Sequence, residues 1–338
     1  MSTNNSPRYS IICTLRNNYR CFYDELLEHI INQKEKNFEC IFIVDETEVD
    51  WVKVPDARFQ LVRLNEETPL AIKRNIGIKR ALGEYIIFCD ADDYLDKDLL
   101  QIFSGIIDQY SPDMIIPNCS RNPEDFISEK SHIIEKKNLL DNKDEIIKVF
   151  FSRYLPSSPQ PVLLDGCWGR AFKRETLVKN NIHFHEEPCR AEDALFVNDF
   201  ALCSSSVYII TDYFGYYWRM NCQSEMFNVN SFFYNIVPFV DKLSQQIKNV
   251  PQTFTKDFYY YVTSLIISQV KTFCNARSNK KIDRKNFISL MKKTAPKGSL
   301  CEKYLKKISW KYGKKHKILC FIYSCKLYSL FYFLYRHF

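Results

Sequence analysis

Over the first 120 residues, short continuous apolar runs alternate with stretches whose apolar positions recur every three or four residues. Residues 9–15, 39–45, 59–64, 84–90 and 113–118 are such runs and read as strands buried on both faces. Phe22, Leu26, Leu27, Ile30 and Ile31 make one apolar stripe, which predicts a helix over residues 21–33. A second helix is predicted over 69–82, stopped by Gly83, and a third over Leu95 to Gln109. This alternation predicts an α/β fold with a mostly parallel sheet and helices on both faces. Ligands of such sheets bind beyond the carboxyl ends of the strands, where Asp45 and Asp90 both stand.

Beyond residue 120 the pattern weakens. Residues 120–160 are polar and give no clear period. Order returns with "DGCWGRAFKRETLVKNN" (165–181), in which a helix is expected from Arg174 to Asn180. Glu192 and Asp193 open an apolar helix, and 207–221 reads as a strand and a turn. After about residue 230 the chain is helical, aromatic and basic. Ile318 to Tyr335 reaches the lower length limit of a membrane span, but Lys326 in its middle would cost roughly 2.5–3.5 kcal/mol at a bilayer centre. A helix lying in the membrane interface fits its Lys, Phe, Tyr and Leu better. A buried or partner-binding helix and a span are the alternatives.

Apolar content of 46% and charged content of 26% describe a globular chain. The net charge of +7 permits an anionic ligand or a membrane surface and establishes neither. The 13 cysteines are scattered with no CxxC pair, which reads as a reduced, cytosolic protein and not a disulfide or zinc framework. The polar start, "MSTNNSPRYS", reads as lacking a signal peptide. There are only 8 glycines, and neither GxGxxG nor GxxxxGK[ST] occurs. Any phosphate must then be held by something other than a glycine-rich cradle, most simply a metal and basic side chains.

The stretch "FCDADDYLD" (88–96) carries the sharpest chemical signal. A turn or helix cap explains one aspartate. Three in four positions repel unless a cation or a donor-rich ligand neutralises them. Positions i and i+2 of a strand share a face, so Asp90 and Asp92 suit Mn²⁺ or Mg²⁺; the turn reading stands beside this one. Glu192 and Asp193 likewise admit two readings, compensation of a helix dipole or a general base beside a cleft.

In order, "YSIICTLRNN", "FECIFIVDE", "AIKRNIGIKRALGEYIIFCDADDYL", "CWGRAFKRE" and "RAEDALF" resemble the family 2 glycosyltransferases of GT-A fold, bacterial enzymes that build surface polysaccharides. The resemblance covers about residues 8 to 222. It implies a Rossmann-like transferase domain over 1–228, with a nucleotide-sugar half (about 1–120) and an acceptor half (about 121–228). A helical, basic and aromatic region follows over 229–338. Thr14, Leu15 and Asn17 would line the base, although the family often has proline at the Thr14 position and tyrosine at the Arg16 position. Asp45 and Glu46 fall on the acidic step that meets the base, normally uracil; the second acid here is the longer Glu. Arg74 and Asn75 would lie near the donor's phosphates and ribose. Asp90, with Ala91 beside it, would meet the ribose or sugar, and Asp92 the metal.

The resemblance makes Asp193 the general base, with Glu192 beside it. Trp168 and Gly169 join the sugar and acceptor pocket, a core tryptophan being the plainer alternative. Arg219 would reach the diphosphate. Family members often carry a histidine two residues later, where this chain has Asn221; His183 and His185 are surface or core residues in the plainer reading. The implied reaction is an inverting, metal-dependent transfer from a UDP-linked hexose or N-acetylhexosamine to a lipid-linked or lipooligosaccharide glycan. The enzyme would sit peripherally at the cytoplasmic face of the membrane. Three rivals are weaker. A haloacid-dehalogenase-type phosphatase carries DxD on its first strand. A GT-A-like scaffold binding without turnover would not need Asp90, Asp92 and Asp193 intact. Nucleic-acid binding lacks any known module.

Overall fold

The computed structural model describes residues 6–45, 51–127, 132–151, 162–187, 191–221 and 236–248, and scattered positions beyond them. The chain forms two compact units. One comprises Met1–Ile147, Gln160–Glu186 and Glu192–Asn221, the other Lys148–Pro159, Glu187–Ala191 and Cys222–Phe338.

The first unit is built on strands β1 (Tyr9–Leu15), β2 (Phe38–Asp45), β3 (Phe59–Leu64), β4 (Tyr85–Asp90), β5 (Tyr94–Leu95), β6 (Met114–Ser120), β7 (Leu139–Leu140), β8 (Ala171–Lys173) and β9 (Val207–Tyr217). Its helices include α1 (Tyr23–Ile31), α2 (Leu70–Arg80) and α3 (Leu99–Tyr110). The short helix α4 (Arg174–Lys179) and helix α5 (Glu192–Cys203) follow β8. The sheet runs β3-β2-β1-β4-β8-β6-β9-β5, with β7 on β9. Strands β3, β2, β1 and β4 are parallel, as the apolar runs predict; every residue of β1 and β2 is buried. The second half mixes directions. β8 is antiparallel to both β4 and β6, and β9 is parallel to β6 but antiparallel to β5.

Three elements depart from the sequence reading. A 3-10 turn over Asn17–Phe22 precedes α1, so Tyr23 takes the inward place expected of Phe22. The third helix starts at Leu99, not Leu95, because Tyr94 and Leu95 pair with Tyr217 and Tyr216 as a sheet edge. The Asp96 carboxylate then accepts the Asp98 amide at 3.0 Å and the Tyr213 hydroxyl at 2.6 Å, which fixes the entry to α3. Finally, β9 continues as strand through the expected turn, with a register shift against β6 between Ile116 and Cys119.

Helix α2 inverts the usual pattern. Its buried residues are Ala71, Lys73, Arg74, Asn75 and Gly77, three of them polar or charged. Gly77 permits this: a Cβ there would stand 2.5 Å from Ile12 Cγ2, so the helix lies directly on β1. Its polar side chains are thereby carried to the strand ends.

In the second unit, the helix Ile236–Ile247 buries Phe239, Val240 and Leu243. The continuous helix expected over 318–335 is interrupted. Lys326 adopts a left-handed backbone (φ 59°), and the Leu327 amide donates to the Ile322 carbonyl at 3.0 Å, a helix-stop pattern. Most of that segment lies outside the described residues. Among the described residues no helix is long and apolar enough to cross a membrane.

Candidate active site

The site forms at the carboxyl ends of β1, β2 and β4. Arg74 is its centre. Its side chain is 2% exposed, yet it holds a cation among three carboxylates. Nη2 donates to Asp90 Oδ1 at 2.9 Å, Nη1 pairs with Asp193, and Glu192 Oε1 lies 3.8 Å away. The Phe184 ring lies under the guanidinium, 5.2 Å from its carbon. Burial opposes the charge of Arg74, but Asp193, Asp90 and Glu192 hold its pKa well above the ordinary value. Burial pushes the Asp193 carboxyl up, with Asp90 adding to the rise and Arg74 pulling against it. β4, α2 and the first turn of α5 therefore meet through one side chain, 119 residues from Asp193 in sequence.

The three aspartates of "DADD" separate into different environments. Asp90 faces Arg74. Asp93 turns inward: its carboxylate accepts the Tyr216 hydroxyl at 2.7 Å and the Arg219 amide at 2.8 Å, and the Tyr216 hydroxyl accepts the Asp90 amide at 3.1 Å. Burial, then Asp90 and Asp92, push Asp93 well above the ordinary carboxylate range. Asp92 is half-buried and accepts the Asn221 side-chain amide at 3.0 Å. Burial also raises its pKa, with Asp90 adding to the rise while Asn221 and Arg219 oppose it. Arg219 lies alongside: Nε donates to the Asp92 carbonyl at 2.8 Å, and Nη2 pairs with Glu25 at 2.6 Å.

At the end of β2, Asp45 is buried and ion-paired with Lys73, whose side chain is fully buried; Arg16 Nε lies 4.0 Å from the other carboxylate oxygen. Thr14 pairs with Asp90 across β1 and β4, and Leu15 is buried in the core. Asn75 clamps one backbone position, with Nδ2 donating to the Phe184 carbonyl and Oδ1 accepting its amide, each at 2.8 Å. Ala91 is buried between Asp90 and Asp92. The side chain of Asn17, and all of Glu46, lie outside the described residues.

Trp168 continues the site toward β9. It is half-buried, stacks on Tyr216 at 4.6 Å and leans on Trp218 at 5.6 Å. Gly169 makes this packing possible. Its φ of +66° is in the left-handed region, and a Cβ there would stand 2.6–2.8 Å from Tyr216. His183 and His185 contact the Asn181 carbonyl and Asp199, neither of them at Asp92.

Sequence reasoning missed Lys73 and Tyr216 and gave Asn221 no role beyond marking a departure. The signal for Lys73 was available: "KRN" sits mid-helix, where three consecutive polar residues cannot all face solvent. Nothing local marked Tyr216 as the link between Asp90 and Asp93.

Residues 10–179 match the family described as Glycosyl transferase family 2. The cholesterol galactosyltransferase of Borreliella burgdorferi is 22% identical over 268 residues, covering 72% of this chain and 73% of that protein. The poly(ribitol-phosphate) beta-N-acetylglucosaminyltransferase TarS of Staphylococcus aureus is 29% identical over 43% of this chain. That match spans only 22% of TarS, a longer protein. In structure, S. aureus TarS 1-349 in complex with UDP-GlcNAc superposes with a TM-score of 0.61 at 16% identity, covering 96% of this chain and 89% of that one. The mannosyltransferase PcManGT of Pyrobaculum calidifontis, in complex with GDP-Man and Mn2+, gives 0.53 at 16% identity, covering 97% and 87%. These structural matches establish the GT-A fold. The profile match spans half of the sequence and makes the chain a transferase: it belongs to glycosyl transferase family 2.

Proposed function

We propose that this transferase moves a hexose or N-acetylhexosamine from a nucleotide sugar, UDP-linked by preference, to a hydroxyl of a growing surface glycan, with inversion. The observation that carries this reading is Arg74. One buried cation ties Asp90, beside the strand that would meet the donor, to Asp193 at the head of α5. The solved TarS complex with UDP-GlcNAc supports the choice of donor.

In this mechanism Asp193 removes the acceptor hydroxyl proton. The hydroxyl oxygen then attacks the anomeric carbon, the bond to the diphosphate oxygen breaks, and the nucleoside diphosphate leaves with the electron pair. A carboxyl raised by burial is a stronger base than an exposed aspartate, which suits this task. Attack from the face opposite the leaving group gives a β-linked product from an α-linked donor. Arg219, beside Asp92, would meet the diphosphate on leaving Glu25.

The residues present suit Mn²⁺ or Mg²⁺. Asp92 carries a carboxylate destabilised by burial and by Asp90, and Asn221 lies beside it, its Nδ2 donating to Asp92 and so orienting that carboxylate. One or two protein oxygens plus substrate phosphates are a common Mg²⁺ arrangement. No cluster of three His, Cys, Asp or Glu side chains converges among the described residues. A bound cation would offset the charge that develops on the diphosphate. Ile318, Phe321, Leu327, Leu330 and Phe333 are exposed apolar residues of the second unit and support peripheral attachment to a membrane.

The test is release of nucleoside diphosphate from a panel of sugar nucleotides, with Mn²⁺, Mg²⁺ or chelator. Release from one donor, lost on chelation and in Asp92→Asn and Asp193→Asn, is expected. Turnover that persists in Asp193→Asn refutes the base assignment; an α-linked product from an α-donor refutes inversion. Removing residues 312–338 should lower recovery with membranes. Undiminished recovery would remove the attachment reading.

A further inference from the structure

Cys167 is fully buried, and its backbone is pinned from both sides. Trp168 bridges to Phe88 near the end of β4, and the Gly169 amide donates to the Phe88 carbonyl at 2.9 Å. The buried Arg170 guanidinium donates to the Leu164 carbonyl at 3.0 Å and to the Leu163 carbonyl, which closes the segment carrying Cys167. The thiol so placed lies within hydrogen-bonding reach of the Asp193 carboxylate.

The titratable and charged side chains around Asp193 are Arg74 from α2, Asp90 from β4, Glu192 from its own helix and Cys167 from the segment before β8. Of these, Arg74 and Cys167 can donate to an ionised carboxylate. Arg74 Nη1 pairs with Asp193 Oδ1, and the Asp193 side chain remains 20% exposed, so one side of it is open to a substrate. Burial holds the Cys167 thiol well above its ordinary pKa, with Asp193 and Asp90 adding to the rise and Arg74 and Arg170 opposing it. The sulfur therefore keeps its proton and acts as a donor, not as a nucleophile. An S–H is a weak donor. It can fix the rotation of a carboxylate while drawing down its basicity less than a hydroxyl would.

We propose that Cys167 is a positioning residue: its thiol donates to the Asp193 carboxylate and holds that base with its open side toward the acceptor hydroxyl. This rests on the reading of Asp193 as the general base.

The experiment compares Cys167→Ala and Cys167→Ser in the full chain, by the pH dependence of nucleoside diphosphate release. Alanine removes the donor, so the ionised base loses stabilisation and the acid limb of kcat/KM should move up by about 0.5 unit. Serine supplies a stronger donor, so the limb should move down by about 0.5 unit. On the plateau, kcat of Cys167→Ala should fall about threefold with KM for the sugar nucleotide unchanged, since orientation of the base is lost and donor binding is not. A packing role alone would lower the melting temperature and the rate together without moving the two limbs in opposite directions. Infrared difference spectra give a readout independent of turnover. The S–H stretching band that disappears in Cys167→Ser should lie at lower frequency in the unsubstituted chain than in Asp193→Asn. Limbs that stay in place or shift the same way, or an S–H band indifferent to Asp193→Asn, overturn the proposal. If Asp193→Asn is inactive and the Cys167→Ala limb has not moved, only the role of Cys167 is wrong. If Asp193→Asn turns over as the unsubstituted chain does, the base assignment itself is wrong.

Discussion

Replacing Arg74 by methionine tests the electrostatic centre of the site. The side chain is 2% exposed and pairs with Asp90 and Asp193, with Glu192 at 3.8 Å. Methionine fills comparable space without charge and leaves these carboxylates facing one another. Breaking a buried ion pair from one side costs about 3–5 kcal/mol, so urea denaturation at neutral pH should show a loss of that order. The more diagnostic effect is on Asp193. An adjacent opposite charge lowers an aspartate pKa by about 1–3 units, and removing it returns that amount. A general base works only when ionised, so activity falls as pH drops through its pKa. The acid limb of kcat/KM for nucleoside diphosphate release should therefore move up by about 1–3 units in Arg74→Met. Activity relative to the unsubstituted enzyme should recover toward pH 8.5, where the base is ionised in both. Arg74→Lys keeps the charge but loses the fork that reaches Asp90 and Asp193 together, so its limb should fall between the two. A limb that stays in place, or moves down, would refute Arg74 as the group that tunes the base.

Asp93→Asn addresses a carboxyl that burial pushes well above the ordinary range. A raised folded pKa contributes stability below the unfolded value that is lost as pH climbs through the folded one. The melting temperature of Asp93→Asn should therefore gain on that of the unsubstituted chain between pH 5 and 8, and a widening deficit at pH 8 would contradict this. Asn75→Ala leaves the Phe184 amide and carbonyl without their partners in the interior, and urea denaturation should register roughly 2–4 kcal/mol. Gly169→Ala combines a left-handed backbone with contact against Tyr216, so thermal unfolding should show a loss of about 1–3 kcal/mol. Asn221→Ala should raise the Mn²⁺ concentration for half-maximal turnover roughly tenfold, and an unchanged metal titration would separate Asn221 from the cation.

The parallel half of the sheet was legible because strands buried on both faces write themselves as unbroken apolar runs. Residues 59–64 were placed to the residue, and Glu39–Asp45 was one residue short of β2. Strands β5, β7 and β8 have two, two and three residues, too few to show a period. Their existence depends on partners: β8 forms because β4 and β6 offer antiparallel edges to Ala171–Lys173. In the site, the acidic residues were visible one by one. Their grouping around Arg74 was not, since it joins positions 119 apart through a helix that buries its polar side. The separation of Asp93 from Asp90 and Asp92 depends on a tyrosine of β9, and no local pattern in "DADD" points there.

The position of β9 has a consequence for synthesis. It is the last strand of the sheet in sequence, yet it lies between β6 and β5, not at an edge. Tyr216, Arg219 and Asn221, which hold Asp92 and Asp93 just after β4, arrive with it or just after it. A growing chain can pair β1 through β4 early, from local contacts, and Arg74 can already meet Asp90, but Asp92 and Asp93 lack these partners until about residue 221 has left the ribosome. Contacts that span more than a hundred residues close slowly because the loop entropy must be met first. Until then Asp92 and Asp93 are crowded without the groups that separate them, so a nascent or truncated chain ending before β9 would be strained at the candidate site. Ordering of the candidate site and completion of the sheet thus become a single late step in the folding of this unit.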